Sequence, residues 1–300
     1  MIFSKLRSIF AVLVMYAAAI VGCIFLYPYL NIKGDVGEII LFKILILDLI
    51  ATVFIFIMSC IFKNASIYDP YWSVAPIVMS ISFLYLSDNI NTWSGVLVVL
   101  ICVWGIRLTI NWASRFNNLR HQDWRYVHFK EKFPKVYPLL NFFGIHLMPT
   151  IVVAVAMLPA FNFIGDVTKA GYEPSFMTII GYLVIIIAIL IETIADLQMS
   201  MFKKIPSNNG LVMTQGLWKN SRHPNYFGEI LFWFGIFLVH FSVKNANPAL
   251  VFCPLVVFVL FQFVSIPMMD KRQLNSKPAF KEYMESTNPL LPIFPPKKDK

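Results

Sequence analysis

Charge is what this 300-residue chain has least of: Asp, Glu, Lys and Arg make up only 14% of it, against about 25% in ordinary soluble domains. Apolar residues make up 58%, aromatics 16%, and the mean hydropathy is +0.68. That balance excludes a disordered chain, a coiled coil and most soluble folds. Cysteine is scarce too. Cys23, Cys60, Cys102 and Cys253 all fall in apolar stretches and form no CxxC, which leaves no disulfide framework, zinc motif or haem motif. No GxGxxG is present, so a Rossmann nucleotide site is not expected. His146 and His240 are isolated, with no second ligand at metal spacing. Internal repeats and low-complexity linkers are absent. What remains is a polytopic α-helical membrane protein.

Charge-free windows locate its spans: residues 8–32, 70–87, 89–106, 136–165, 174–191 and 245–269. A helix needs about 20 apolar residues to cross roughly 30 Å of hydrocarbon. Two more spans are short or interrupted by charge, one over 39–62 with Lys43 and Asp48, the other over 227–243. Eight helices are expected, near 8–29, 39–62, 73–87, 92–113, 138–161, 176–198, 227–243 and 249–267, with seven as the alternative count. The first begins like a signal peptide, with Lys5 and Arg7 before an apolar run and a loose cleavage-like string at Ile20–Cys23. The run continues through Leu30, beyond a cleavable segment.

Basic residues set the orientation. With the N-terminus inside, inner segments hold 20 of the 25 Lys and Arg and outer loops hold three. That asymmetry predicts cytoplasmic termini and cytoplasmic loops at 114–137 and 199–226. The net charge of +9 is then topology plus attraction to anionic lipid, and a nucleic-acid partner is not expected. The chain reads as an integral, multi-pass membrane protein, in the cytoplasmic membrane if bacterial. Its C-terminal end, from Pro292, reads as a proline stop before a solvated basic tail.

Polar residues inside spans are costly and usually face a cavity or a partner. Arg107, Asn111 and Arg115 recur every four residues. Glu192, Asp196 and Lys203 share one helical face, and so do Arg222, Asn225, Glu229 and Trp233. These stripes are either ion pairs between helices or the wall of a polar pocket. The outer halves of the same helices are nearly pure hydrocarbon, so no polar route crosses the bilayer. Lys43 is expected to snorkel outward. Asp48 sits near mid-span, as a structural pair or in a substrate cavity. The loop His121–Tyr126 is either a phosphate contact or plain solvated loop. At 207–229 a turn is followed by Arg222 and His223 at a helix start, with Asn225, Tyr226 and Glu229 facing inward. Arg suits phosphate or carboxylate, and Asn and Glu suit an amide or a ribose hydroxyl.

The string Gly216–Glu229, GLWKNSRHPNYFGE, resembles the signature of the steroid 5-alpha-reductase superfamily. More narrowly it resembles bacterial membrane proteins of unknown function that carry that superfamily's C-terminal domain. The resemblance spans roughly residues 65–290, taking in Asp69–Ser73, Arg107 with Arg115, Asp123–Tyr126, Glu192, Asp196, Phe280–Tyr283 and Pro289–Pro292. It implies N-terminal membrane helices over 1–64 and a reductase-like membrane catalytic domain over 65–300. It also implies NADPH in a pocket open to the cytosol, with an apolar, lipid-like substrate entering from the bilayer. Isoprenylcysteine and phospholipid methyltransferases carry a similar string, so S-adenosylmethionine is the alternative cofactor. A non-catalytic lipid-binding protein is the third reading.

By the resemblance, Asp196, Lys203, Asn225 and Glu229 match cofactor-binding positions. Lys203 stands where the reductases place Arg, and a point charge replaces a bidentate fork. Chemistry and proximity add Arg107, Arg115, Arg125 and Glu192, then Arg222, His223, Tyr226 and Tyr283. Glu192 stands near a reductase Asn, and Asp69 near their catalytic Glu. Their catalytic Tyr falls near Trp104, which has no acidic proton to give, so Tyr71 is the phenol expected to serve. Asp69 and Tyr71 are therefore the candidate catalytic residues. Asp69 beside Pro70 is also a fitting helix cap.

Overall fold

Residues 2–88, 90–167 and 172–291 are described by the structure, a computed structural model, and the tail expected from Pro292 lies outside them. Ten helical segments follow in order: α1 Ile2–Leu26, α2 Val36–Ile61, α3 Tyr71–Leu86, α4 Thr92–Arg115, α5 Trp124–Lys132, α6 Tyr137–Asp166, α7 Phe176–Lys204, α8 Pro224–Phe241, α9 Pro248–Ser276 and α10 Phe280–Ser286. No β-strand occurs among the described residues; one isolated bridge joins Ser221 to Asn288. A helix stands at each of the eight expected positions. Six of them, α1, α2, α4, α6, α7 and α9, are long and apolar enough to cross a membrane, as a multi-pass membrane protein requires. The other two are α3, with 16 residues, and α8, which opens on the polar string Pro224–Glu229.

The chain divides into two units, Met1–Tyr172 and Glu173–Lys300. In the first, α1 lies against α2, α3 against α4, and α6 against α2 and α3. Of its spans α6 is the most covered and α1 the least, so α6 is the central helix. Gly105 explains the tight α3–α4 pair, because a Cβ there would stand 2.5 Å from the Ser73 carbonyl oxygen. Ser73 and Thr109 seal the crossing by a 2.9 Å hydrogen bond between their hydroxyls. In the second unit α7 and α8 form the most extensive helix pair of the molecule. Gly181, Gly228 and Gly235 set their spacing: added Cβ atoms would meet Val239, Glu192 and Ile185 at 2.9 Å or less.

Two spans are locally underwound and widened, and the cause is legible. In α6 the stretch Leu140–Leu147 is π-helical, and in α9 so is Phe261–Ser265. Each precedes a proline by two residues, Pro149 and Pro267. Proline gives no N–H to the carbonyl four residues back and its ring crowds that oxygen. Slipping to the wider turn relieves both problems, and such turns often accompany functional sites.

Candidate functional site

The segment between α2 and α3 carries the first cluster. Asn64 caps its short helical turn by accepting from the Ser66 N–H at 2.9 Å, and its own amide donates to the Leu119 and His121 carbonyls. Ser66 Oγ in turn accepts from the Asp123 N–H at 2.8 Å. Asp123 caps α5 by accepting from the Arg125 N–H at 2.9 Å. The loop His121–Tyr126 is thus bound to the 64–69 segment, and α5 starts beside Asp69. Tyr126 Oη donates to Asp69 Oδ1, and Arg125 stands 3.6 Å from the same oxygen. Burial pushes the Asp69 carboxyl up to about 6, against the opposing pull of Arg125 and Tyr126. Burial first, then the Asp69 charge, lifts the Tyr126 phenol well above its ordinary value. Asp69 does not cap α3; Pro70 occupies that position without a side-chain bond.

Tyr71 belongs to a different set. Its hydroxyl donates to Asp48 Oδ1 at 2.7 Å, and its ring stacks on Tyr68 at 5.2 Å. Tyr68 Oη bonds Thr150 Oγ1 at 2.8 Å, and Thr150 bonds Thr52 Oγ1 at 2.9 Å. Asp48 is therefore buried and paired. The two expected catalytic residues are neighbours in sequence but do not hydrogen-bond each other. Trp104 is wholly buried in the α4 core. On α4, Arg107 is half-buried and Arg115 exposed. Lys43 reaches back over the Tyr27 ring, 4.5 Å from its centroid.

In the second unit Glu192 and Asp196 lie on the buried stripe of α7, and Glu229 on that of α8. Glu229 accepts from Trp233 Nε1 at 2.8 Å. Gly228 allows this close approach: a Cβ there would stand 2.9 Å from Glu192 Cβ and from the Ala188 carbonyl oxygen. Asn225 Oδ1, one turn earlier on α8, is buried with no hydrogen-bond partner among the described residues. Lys203 is exposed at the end of α7.

Arg222 and His223 are committed elsewhere. Arg222 Nη2 donates to Asp270 Oδ2 at 3.0 Å, and His223 Nε2 meets Asp270 Oδ1 at 2.9 Å. Arg222 Nη1 also donates to the Met284 and Thr287 carbonyls. The backbone N–H groups of Arg222 and His223 donate to the Asn288 and Pro289 carbonyls, and Ser221 Oγ donates to Leu290 O at 2.8 Å. Tyr283 Oη donates to the Trp218 and Ser221 carbonyls. Residues 280–290 are in this way strapped to the start of α8. Tyr226 stacks on His223 at 5.1 Å and packs on Phe261 at 4.7 Å, the latter in the wide turn of α9.

Asp270 is the residue that sequence reasoning passed over. It lies just beyond the span expected over 249–267; the structure extends that helix to Ser276 and makes Asp270 the sole acid of Pro248–Ser276. Tyr126 was in view within Asp123–Tyr126, but only the folded chain brings it to Asp69. Among the described residues no group of three or more His, Cys, Asp or Glu side chains could hold a metal ion.

Among the described residues the chain is all-helical, with six helices long and apolar enough to cross a membrane and buried acids at two polar clusters, which is the make-up of a multi-pass membrane protein. Residues 55–287 match the family described as "Protein of unknown function (DUF1295)", and the chain belongs to it. That family is part of the steroid 5-alpha-reductase-like superfamily. The chain is also 25% identical over 259 residues to an uncharacterized protein of Schizosaccharomyces pombe, covering 77% of this chain and 73% of the relative. No solved structure matches it.

Proposed function

We propose that the protein is an NADPH-dependent reductase of a carbon–carbon double bond in an apolar substrate, a steroid-like, enone or enoyl lipid taken from the bilayer. One observation carries the reading: Asp69 is a carboxylic acid lifted to about 6 and fixed by Tyr126 and Arg125. A fixed carboxyl that keeps its proton up to about pH 6 can give it to the conjugated oxygen of an activated double bond as negative charge develops there. Tyr126 occupies Oδ1, so the acid hydrogen belongs on Oδ2. Tyr71 gives its hydroxyl to Asp48 and stands second to Asp69 as the donor.

The second unit fits the uncharged parts of a dinucleotide. Asn225 Oδ1, buried and without a hydrogen-bond partner among the described residues, would accept a carboxamide N–H. Glu192, Asp196 and Glu229 suit ribose hydroxyls. Arg222, His223 and Tyr283 would act by positioning Asn225, since their polar atoms are held by Asp270 and the strap. Within this unit Lys203 is assigned to phosphate, and Tyr226 to stacking, by chemistry alone. A reduced nicotinamide, when bound, supplies the hydride.

A specific observation favours a second reading. Glu192, Asp196 and Glu229 are buried acids, and Arg222 is already paired with Asp270. Such a face also suits a cationic sulfonium, which is S-adenosylmethionine in a methyltransferase acting on a lipid-like or isoprenylcysteine-type substrate. Titrating the purified full-length protein with both ligands decides. The reductase reading expects NADPH to bind more tightly than NADH, with Asn225→Ala weakening it about tenfold, the size of one buried hydrogen bond. Binding of S-adenosylmethionine alone would replace it with the methyltransferase, and binding of neither nucleotide would leave a lipid-binding protein.

A further inference from the structure

Asn141 and His146 sit on the wide turn that opens α6 and are both buried. His146 Nδ1 lies 2.8 Å from the Asn141 carbonyl oxygen. A carbonyl oxygen only accepts, so Nδ1 carries the hydrogen and donates it. The uncharged ring then presents a bare lone pair at Nε2. Nε2 is buried with no hydrogen-bond partner among the described residues, and so is Asn141 Oδ1. Both are acceptors.

The surrounding hydroxyls cannot serve them. The Tyr68 ring is 4.8 Å from that of His146, but its hydroxyl is bonded to Thr150 Oγ1. Thr150 sends its hydrogen to the His146 carbonyl oxygen at 2.9 Å, which makes Tyr68 the donor of that pair. Thr52 gives its hydrogen to the Asp48 carbonyl or to Thr150, each at 2.9 Å, or to the Tyr71 hydroxyl. Tyr71 donates to Asp48. The hydroxyl hydrogens of Tyr68, Thr150, Thr52 and Tyr71 are all used, and among the described residues the two acceptors are left over. A buried acceptor left without a donor destabilises the fold that contains it.

The group that complements this turn brings two hydrogens and no charge. An ion is disfavoured, because Phe56 and Tyr68 wall the His146 ring and no ion pair of His146 occurs among the described residues. Leu139 and Phe143, on the same helical stretch, are exposed on an apolar surface. Lipid therefore lies against this stretch of α6. We propose that the Asn141–His146 turn is a binding subsite for the diol head of an uncharged, membrane-dissolved lipid, with one hydroxyl donating to His146 Nε2 and the other to Asn141 Oδ1. This subsite needs neither a nucleotide nor turnover, so it stands or falls apart from the reductase reading.

A monoacylglycerol carrying a diazirine in its acyl chain tests it on the full-length protein in nanodiscs. Photolabelling is expected on peptides of α2 and α6. Unlabelled monoacylglycerol should compete, while its dimethyl ether, which accepts but cannot donate, should not. His146→Leu should cut the competable labelling about fivefold to tenfold, the size of one hydrogen bond. His146→Gln, whose side-chain oxygen still accepts, should retain most of it. If His146→Leu does not fold, Asn141→Leu takes its place with the same expectation. Equal competition by diol and diether, or unchanged labelling in the variants that fold, overturns the proposal.

Discussion

At the scale of the residue, Asp69 is the most informative side chain. Its carboxyl is lifted by burial to about 6, so the folded protein holds this proton over a range where the unfolded chain has released it. Stability therefore falls as pH rises from an ordinary carboxylate value through about 6. Asp69→Asn cannot titrate, and its unfolding midpoint should lack that part of the pH dependence; parallel profiles for the two proteins would show that Asp69 is an ordinary acid. The same substitution separates a donor from a structural group. With a substrate in hand, Asn at 69 should leave NADPH affinity nearly unchanged while turnover falls on the order of 10²–10³. Wild-type turnover should itself decline as pH rises through about 6, because the protonated acid is the active form. Wild-type rates in the variant would move the search to Tyr71, Tyr126 or Asp48.

At the scale of the element, two devices hold the second unit. The α7–α8 pair depends on the absence of a side chain at Gly228, where the nearest obstacles include the Ala188 backbone oxygen. Backbone cannot swing aside, so Gly228→Ala should cost about 1–3 kcal/mol, read as a lower thermal midpoint in detergent; an unshifted midpoint would mean that the helices can separate freely. The strap over residues 280–290 depends on Asp270. With Arg222 and Asp270 side chains only 10% and 11% exposed, removing the carboxylate leaves a buried guanidinium without its counter-charge, a loss on the order of 3–5 kcal/mol. Asp270→Asn should loosen the strap enough for trypsin to cut after Lys281 well before the wild type is cut. Equal cleavage would show that the backbone bonds to Asn288 and Pro289 suffice.

At the scale of the whole molecule, the basic residues predict a topology that the six apolar helices leave open. Single cysteines placed at Lys130 and Asn209, in a chain freed of its four native thiols, should react only with reagents that reach the cytoplasm. Labelling of either site from the opposite face would invert the orientation. The family match over residues 55–287 covers every helix from the end of α2 onward, including Asp69 and Asp270. The same strings that carry the resemblance, Asp69–Ser73, Asp123–Tyr126 and Gly216–Glu229, are those the fold draws into clusters.

The sequence by itself determined the class of protein, the helical segments and the polar positions that matter. Hydropathy is a property of local composition, and a helix satisfies its own backbone whatever surrounds it, so spans are readable one at a time. The stripe of Glu192 and Asp196 was readable for the same reason, being set by helical period alone. Partnership was not readable. That Asp69 meets Tyr126 and not Tyr71, that Tyr71 meets Asp48, and that Arg222 and His223 spend themselves on Asp270 are contacts between residues 23 to 57 positions apart. Such contacts follow from which helices pack and how closely, and that is decided by glycines whose missing side chains matter only once a neighbour is present. The wide turns at Leu140–Leu147 and Phe261–Ser265 fall between the two cases. Pro149 and Pro267 announced a disturbance, but only the tertiary structure decided that it would be a π-turn leaving two buried acceptors, rather than a kink or a break.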